Sequence, residues 1–309
     1  KNGYLPALVD VTTDTYCIDV DLIEKKINKK TKAICVPNLI GNIPDWKKIR
    51  SVARKYNLIV IEDSADTLGS KINGIPTGHY TDVSITSFYG SHIINGAGNG
   101  GMLCVNNKKL YEKILLLRSW GRSSSLFKEG SEKIENRFNV KVDGIDYDKK
   151  FIFSEMGYQL EPSEISASFA LVQFASLKEN IKIRIRNFDY NYKFFSKFTK
   201  YFILPNNEKT VKTPWLAFPI IIKKTAPFSR KQLQIYLEKN NIQTRVVFTG
   251  NIVRQPCFKK LRRNYHAADY PNADQVMIGG MLLGCHQGLD IKKLDYMHSK
   301  IAKFLNKFL

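Results

Sequence analysis

The sequence predicts an α/β fold: a large domain on a mostly parallel sheet over residues 1–200, and a small α+β domain over residues 201–309. Three observations predict it. Over the first 120 residues, short apolar runs alternate with stretches that are apolar every three or four positions, the pattern of βαβ units with helices covering a parallel sheet. Beyond Tyr201 the order becomes strand, helix, strand, strand, helix, which is an α+β arrangement. A chain of 309 residues, at roughly 100–200 residues per domain, has room for both.

The elements follow in order. "ALVDV" (7–11) reads as a strand, and "DVDLIEKKI" (19–27) as a helix with Asp19 as its N-cap. "AICV" (33–36) is the next strand; "DWKKIRSVARKYN" (45–57), preceded by Pro44, is a helix; "LIVIED" (58–63) is a strand. After a loop over 64–82, "VSITSFY" (83–89) and "GMLCVN" (101–106) continue the sheet, and "KLYEKILLLRSW" (109–120) returns as a helix. Residues 123–152 are polar and irregular, an excursion whose length marks a functional loop. From Pro162, residues 163–198 keep one helical period and read as a single long helix leading into the small domain. There "WLAFPIII" (215–222), "IQTRVVF" (242–248) and "MLLGC" (281–285) are strands, and 228–240 and 290–308 are helices.

Composition narrows the function classes. No apolar run is long enough to span a membrane, and no signal peptide is visible. The five cysteines are scattered and lack any CxxC pair, which argues against a disulfide framework, a zinc site or an iron–sulfur motif and for the cytoplasm. No metal site is expected. The formal charge of +20 fits nucleic acid through counterion release, but the basic residues are spread as Lys pairs over helices, without an RNP, helix-turn-helix or zinc-finger pattern. We read it as a solvated surface, equally suited to a small anionic substrate. The chain begins at Lys1 and runs directly into a strand, so an upstream segment is expected.

Ligands of parallel α/β sheets sit beyond the carboxyl ends of the strands. Two strands deliver polar groups there: "LIVIED" brings Asp63, with Asp66 three residues on, and "VSITSFY" brings Ser87, with His92 five residues on. The topology therefore predicts that Asp63, Asp66, Ser87 and His92 converge beside the glycine cluster of "NGAGNGG" (95–101). Taken singly, Asp63 could cap a turn and His92 be an ordinary loop histidine.

The segments "IEDSADTLGS", "TDVSITSFYGSHIINGAGNGGMLCV", "WGR" (120–122), "EMGYQLEPSEISASFALVQ" (155–173) and "TGNIVRQP" (249–256) occur in this order. Together they resemble the DegT/DnrJ/EryC1/StrS family, sugar aminotransferases and related enzymes dependent on pyridoxal phosphate with the type I aminotransferase fold. The resemblance implies that Asp63 pairs with the pyridine nitrogen, keeping it protonated so that the ring accepts electrons. It implies that Asp66 lies against the cofactor ring, where the family usually has Gln, and that Ser87 binds the phosphate. Gln159 stands where the family has Asn reaching the phosphate from the neighbouring subunit, so a homodimer with a shared site is implied.

At the position of His92 the aminotransferases carry the lysine that bonds to the cofactor aldehyde. Imidazole cannot form that stable link but can act as a general base near neutral pH. One branch of the family has this replacement, the 3-dehydratases of nucleotide-linked 4-keto-6-deoxyhexoses, which use the pyridoxamine form. Its spacing, "SF" plus three residues plus His, is kept here, with a glycine run one residue longer. Members with an iron–sulfur cluster carry cysteines where this chain reads "EDSAD" and "GRSSSLF". The resemblance therefore implies a dehydratase of deoxysugar and surface-polysaccharide biosynthesis that either works without a cluster and regenerates its pyridoxamine phosphate from glutamate, or passes its electrons by a different route. A nucleotide-sugar aminotransferase and a non-catalytic binding relative are the alternatives.

Overall fold

The computed structural model describes residues 3–127, 134–258 and 265–308. Its first sheet grows from β1 (Ala33–Pro37), α1 (Trp46–Lys55) and β2 (Ile59–Asp63). In β1 every second residue is buried, Ile34 and Val36, as expected for a strand with one covered face. Helix α1 is capped by Asp45, whose carboxylate accepts the Lys48 N–H at 3.0 Å. It buries Trp46, Ile49, Val52 and Ala53 against Ile34, Val36 and Val60, and turns its lysines and arginines outward. Asn57, at φ +51, ends this unit in the left-handed conformation and returns the chain to β2.

Between β2 and the next sheet strand, a small hairpin of β3 (Lys71–Ile72) and β4 (Ile75–Pro76) stands apart. Strand β5 (Val83–Ser87) then pairs with β2 in parallel, and β6 (Gly101–Val105) pairs with β5 antiparallel. The sheet order is β1-β2-β5-β6, so the three parallel strands end at one edge. Helix α2 (Lys108–Arg118) follows, capped by Asn107. The described part of the 123–152 excursion is ordered by α3 (Ile134–Phe138) and the hairpin β7 (Val140–Val142) and β8 (Ile145–Tyr147), while residues 128–133 lie outside the described residues. The hairpin turns on Asp143 and Gly144, both at positive φ, as a two-residue turn requires.

The region expected as one long helix is two, α4 (Glu164–Ala175) and α5 (Leu177–Phe195), separated at Ser176. Their faces differ: α4 buries no residue, whereas α5 buries Arg184, Asn187, Phe188, Asn191 and Phe195. Then come β9 (Phe202–Ile203), β10 (Val211–Lys212), which joins β3, and β11 (Phe218–Ile222). Helix α6 (Arg230–Glu238), β12 (Arg245–Val246), α7 (Pro271–Gly279), β13 (Gly280–Leu283) and α8 (Ile291–Leu305) complete the chain. The second sheet is antiparallel in order β12-β13-β11-β9. Phe218, Ile220, Ile222, Met281 and Leu283 pack into a core with α5, α6 and α8. The alternate residues Ile221 and Leu282 pack with Tyr16 and Ile40, so this sheet is covered on both faces.

Two early elements differ from expectation. Residues 7–11 form no strand, only an isolated bridge from Val11 to Ile18, because Asp10 is committed elsewhere: its buried carboxylate accepts the Asn272 and Ala273 N–H groups at the first turn of α7, both at 3.0 Å. Residues 19–27 make two short 3-10 turns, Val20–Leu22 and Glu24–Lys26, in place of a helix. Asp19 does cap the first, accepting the Asp21 N–H at 3.0 Å.

Candidate active site

The parallel register aligns Pro37, Asp63 and Ile85 across β1, β2 and β5, which brings the strand ends to a common edge. The turn after β2 is tied to β5: the Ser64 N–H donates to the Ile85 carbonyl at 2.8 Å and the Thr86 hydroxyl to the Ser64 carbonyl at 3.2 Å. Asp63 accepts the Ala65 N–H at 3.0 Å, an Asx turn that fixes the carboxylate at the strand end. The nearby Cys35 thiol is pushed up by burial and then by the charge of Asp63. Ser87 ends β5 and its hydroxyl accepts the Tyr89 N–H at 3.1 Å.

Asp66 and His92 meet. Nε2 of His92 lies 3.7 Å from Oδ1 of Asp66, whose Oδ2 accepts the Ile40 N–H at 2.9 Å. Burial pushes the Asp66 carboxyl above the ordinary carboxylate range, with the charge of Asp63 adding; the Ile40 N–H and His92 oppose the rise. His92 sits in a turn closed by its N–H on the Tyr89 carbonyl at 3.0 Å, and Ile93 and Ile94 anchor the following residues in the interior. The Tyr89 ring meets the imidazole edge-on at 5.7 Å. Nδ1 of His92 is buried without a hydrogen-bond partner among the described residues. The loop closes behind it through Phe88, whose N–H donates to Gly100 and whose carbonyl accepts from Gly96.

A buried polar group supports the edge from below. The Trp46 indole donates to Asn38 Oδ1 at 2.8 Å, the Asn38 amide donates to Glu62 at 2.5 Å and to the Ser64 hydroxyl at 2.9 Å, and that hydroxyl donates to Glu62. Asn38, Ile40 and Ser64 have no place in the expected site. Their only signal is the polar "PN" after β1 and the serine within "EDSAD". Gln159 is exposed, on a strip bridged to Ser119 beside the end of α2; among the described residues its side chain hydrogen-bonds to none of the other four. The convergence of Asp66 and His92 is thus direct, and Asp63 and Ser87 end adjacent strands at the same edge.

Among the described residues, no group of three or more His, Cys, Asp or Glu is placed to hold a metal ion, and no helix is long and apolar enough to cross a membrane. A mostly parallel α/β sheet with acids and an imidazole at its carboxyl edge, followed by an antiparallel α+β layer, is the architecture of pyridoxal-phosphate-dependent aminotransferase-like folds. The structure of Escherichia coli GDP-4-keto-6-deoxy-D-mannose-3-dehydratase with bound hydrated PLP matches 94% of this chain and 72% of its own, with a TM-score of 0.81 and 26% identity. The chain belongs to the DegT/DnrJ/EryC1/StrS aminotransferase family, whose pattern matches residues 1–302. It is 32% identical to the lipopolysaccharide biosynthesis protein RfbH of Salmonella typhimurium, covering 98% of this chain and 70% of that one. It is also 32% identical to dTDP-4-dehydro-2,6-dideoxy-D-glucose 3-dehydratase of Saccharopolyspora spinosa, covering 99% of this chain and 66% of that one.

Proposed function

We propose that this chain is a 3-dehydratase acting on a nucleotide-linked 4-keto-6-deoxyhexose, in deoxysugar and surface-polysaccharide biosynthesis in the cytoplasm. One observation carries the reading: residues 72–107 contain no lysine at all, so the loop in which the resemblance implies the aminotransferases' lysine offers His92 instead. Release of an aminated sugar from a covalently held cofactor uses that amine; removal of the C3 hydroxyl needs only a base. The relatives named as 3-dehydratases support it.

The residues at the strand edge fit pyridoxal or pyridoxamine phosphate. The buried Nδ1 of His92 is a polar group without a mate among the described residues, as a site completed by a bound molecule would leave it. Asp63 would hold the pyridine nitrogen protonated, Ser87 would bind the phosphate, Asp66 would border the ring, and Gln159 would come from a second subunit. When bound, the cofactor supplies the electron sink that the side chains lack. His92 would take a proton at the reacting centre and return it to the departing C3 hydroxyl, which would leave as water. Glutamate serves as the amino donor that restores the pyridoxamine form; a solved relative holds a trapped PLP-glutamate geminal diamine. The homodimer is supported by the apolar face of α4, where Ile165, Leu171, Val172 and Phe174 stand exposed.

The cofactor should therefore be held without a covalent bond. Borohydride reduction of the pyridoxal-phosphate-loaded protein followed by peptide mass mapping should find no phosphopyridoxyl residue. A labelled lysine in the site would overturn the role given to His92.

A further inference from the structure

We propose that Asp66 is a positioning residue for His92, held in place by the strained backbone of Ile40; this rests on His92 being the base. The observation that prompts it is conformational. Ile40 is fully buried and adopts φ +66, a left-handed conformation that a β-branched residue rarely takes and that persists only where the surroundings enforce it. They do so here. The Ile40 carbonyl accepts the Leu216 N–H at 2.6 Å, and its side chain is enclosed with Tyr16, Val247 and Leu282. The next residue, Gly41, has φ +140, and a Cβ there would lie 2.4 Å from the Trp215 ring. The result of this strain is one specific contact: the Ile40 N–H faces Oδ2 of Asp66 at 2.9 Å.

With Oδ2 so engaged, Oδ1 is the oxygen left for His92, 3.7 Å from Nε2. Asp66 is 7% exposed, so water contributes little to holding its charge. The charged and titratable groups around it are His92 from the glycine-rich loop and Asp63 from the end of β2, together with the Ile40 N–H dipole from the turn after β1. The Ile40 N–H and His92 favour the carboxylate, and Asp63 disfavours it. The carboxylate takes the Nε2 side of the ring and thereby turns Nδ1 away. Nδ1 is the ring's buried nitrogen, with no partner among the described residues. At 3.7 Å the contact is electrostatic rather than a hydrogen bond, and the negative carboxylate favours the proton on the facing Nε2, leaving Nδ1 as the acceptor, so the carboxylate biases the tautomer as well as the orientation. The same division of labour makes an acid–imidazole pair effective in other general-base sites, where the carboxylate itself takes no proton.

A four-protein cycle tests this on the full chain: wild type, Asp66→Asn, His92→Asn and the double variant, each measured for thermal midpoint at pH 5.5 and pH 8 and for turnover with pyridoxamine phosphate. Asparagine keeps an acceptor for the Ile40 N–H and loses the charge. The proposal expects Asp66→Asn to lower kcat at least tenfold with KM unchanged, and the double variant to be no slower than His92→Asn. It expects His92→Asn to lower the midpoint only when Asp66 is present, because the contact between the two side chains exists only then. Additive midpoints and additive rate losses would overturn it, as would an Asp66→Asn protein at wild-type rate. If the midpoints couple while His92→Asn retains full turnover, the pair stands and the dehydratase reading of His92 falls.

Discussion

Among single residues, His298 shows how the C-terminal core treats an ionisable group. It is 8% exposed, its Nε2 lies 2.8 Å from Asn191 Oδ1, and its ring stacks on Phe194 at 4.0 Å. Burial pushes the imidazole down from 6.5 to about 4, with Lys197 adding and Asp295 opposing. The folded chain therefore keeps His298 neutral where the unfolded chain is already protonated. Between about 6.5 and about 4 the unfolded state binds more protons, so stability falls as pH falls through that window. A thermal melt series across it should show the decline, and His298→Gln, which retains a polar contact to Asn191, should flatten it. An unchanged slope would mean that other groups govern acid sensitivity. The site residues share this character: Asp66 and Glu62 are buried acids held by hydrogen bonds, and their places were only partly legible. Asp63, Asp66, Ser87 and His92 could be read as converging because strand ends in a parallel sheet share an edge. Ile40 could not, since nothing in "LIGN" signals a left-handed isoleucine whose N–H serves a residue in the turn after the next strand.

Helix α4 poses the same question one level up. It is the most apolar of the long helices yet buries nothing, with Leu171 and Val172 each 69% exposed. A face of this kind is stable in water only when something covers it. A second copy of the chain is the cover proposed above, so Leu171→Glu with Val172→Glu should shift the sedimenting species from dimer to monomer. An unchanged dimer would place the interface elsewhere. Periodicity made β1, β2, β5, β6 and α1 legible, because each carries its full pattern within a few residues. It failed at Ser176, where the same three-and-four spacing continues through a break between helices that bury different faces. It failed also at residues 7–11, whose partner is α7, more than 260 residues away; the bond from Asn272 to Asp10 spans 262 positions. Helix α7 itself went unread, although Pro271 opens it in the first turn where proline is favoured.

Across the whole molecule, the two sheets meet at Ile40. Its side chain belongs to the cluster that covers the second sheet, and its N–H holds the acid beside His92 at the edge of the first. The strand edge that carries His92 is thus braced by the C-terminal layer, and the proposed chemistry rests on reading that imidazole as the replacement for the amine of the related aminotransferases. The most direct test is product analysis, by mass and NMR, of the chain and its His92→Lys variant with a panel of nucleotide-linked 4-keto-6-deoxyhexoses, pyridoxamine phosphate and glutamate. The account predicts that the wild-type chain releases water and yields a C3-deoxy sugar, and that His92→Lys loses C3 dehydration by about a hundredfold or more, as removal of a general base does, and gains slow amino transfer at C4. A wild-type chain that yields a 4-amino sugar, or a His92→Lys variant that dehydrates at the wild-type rate, would contradict it.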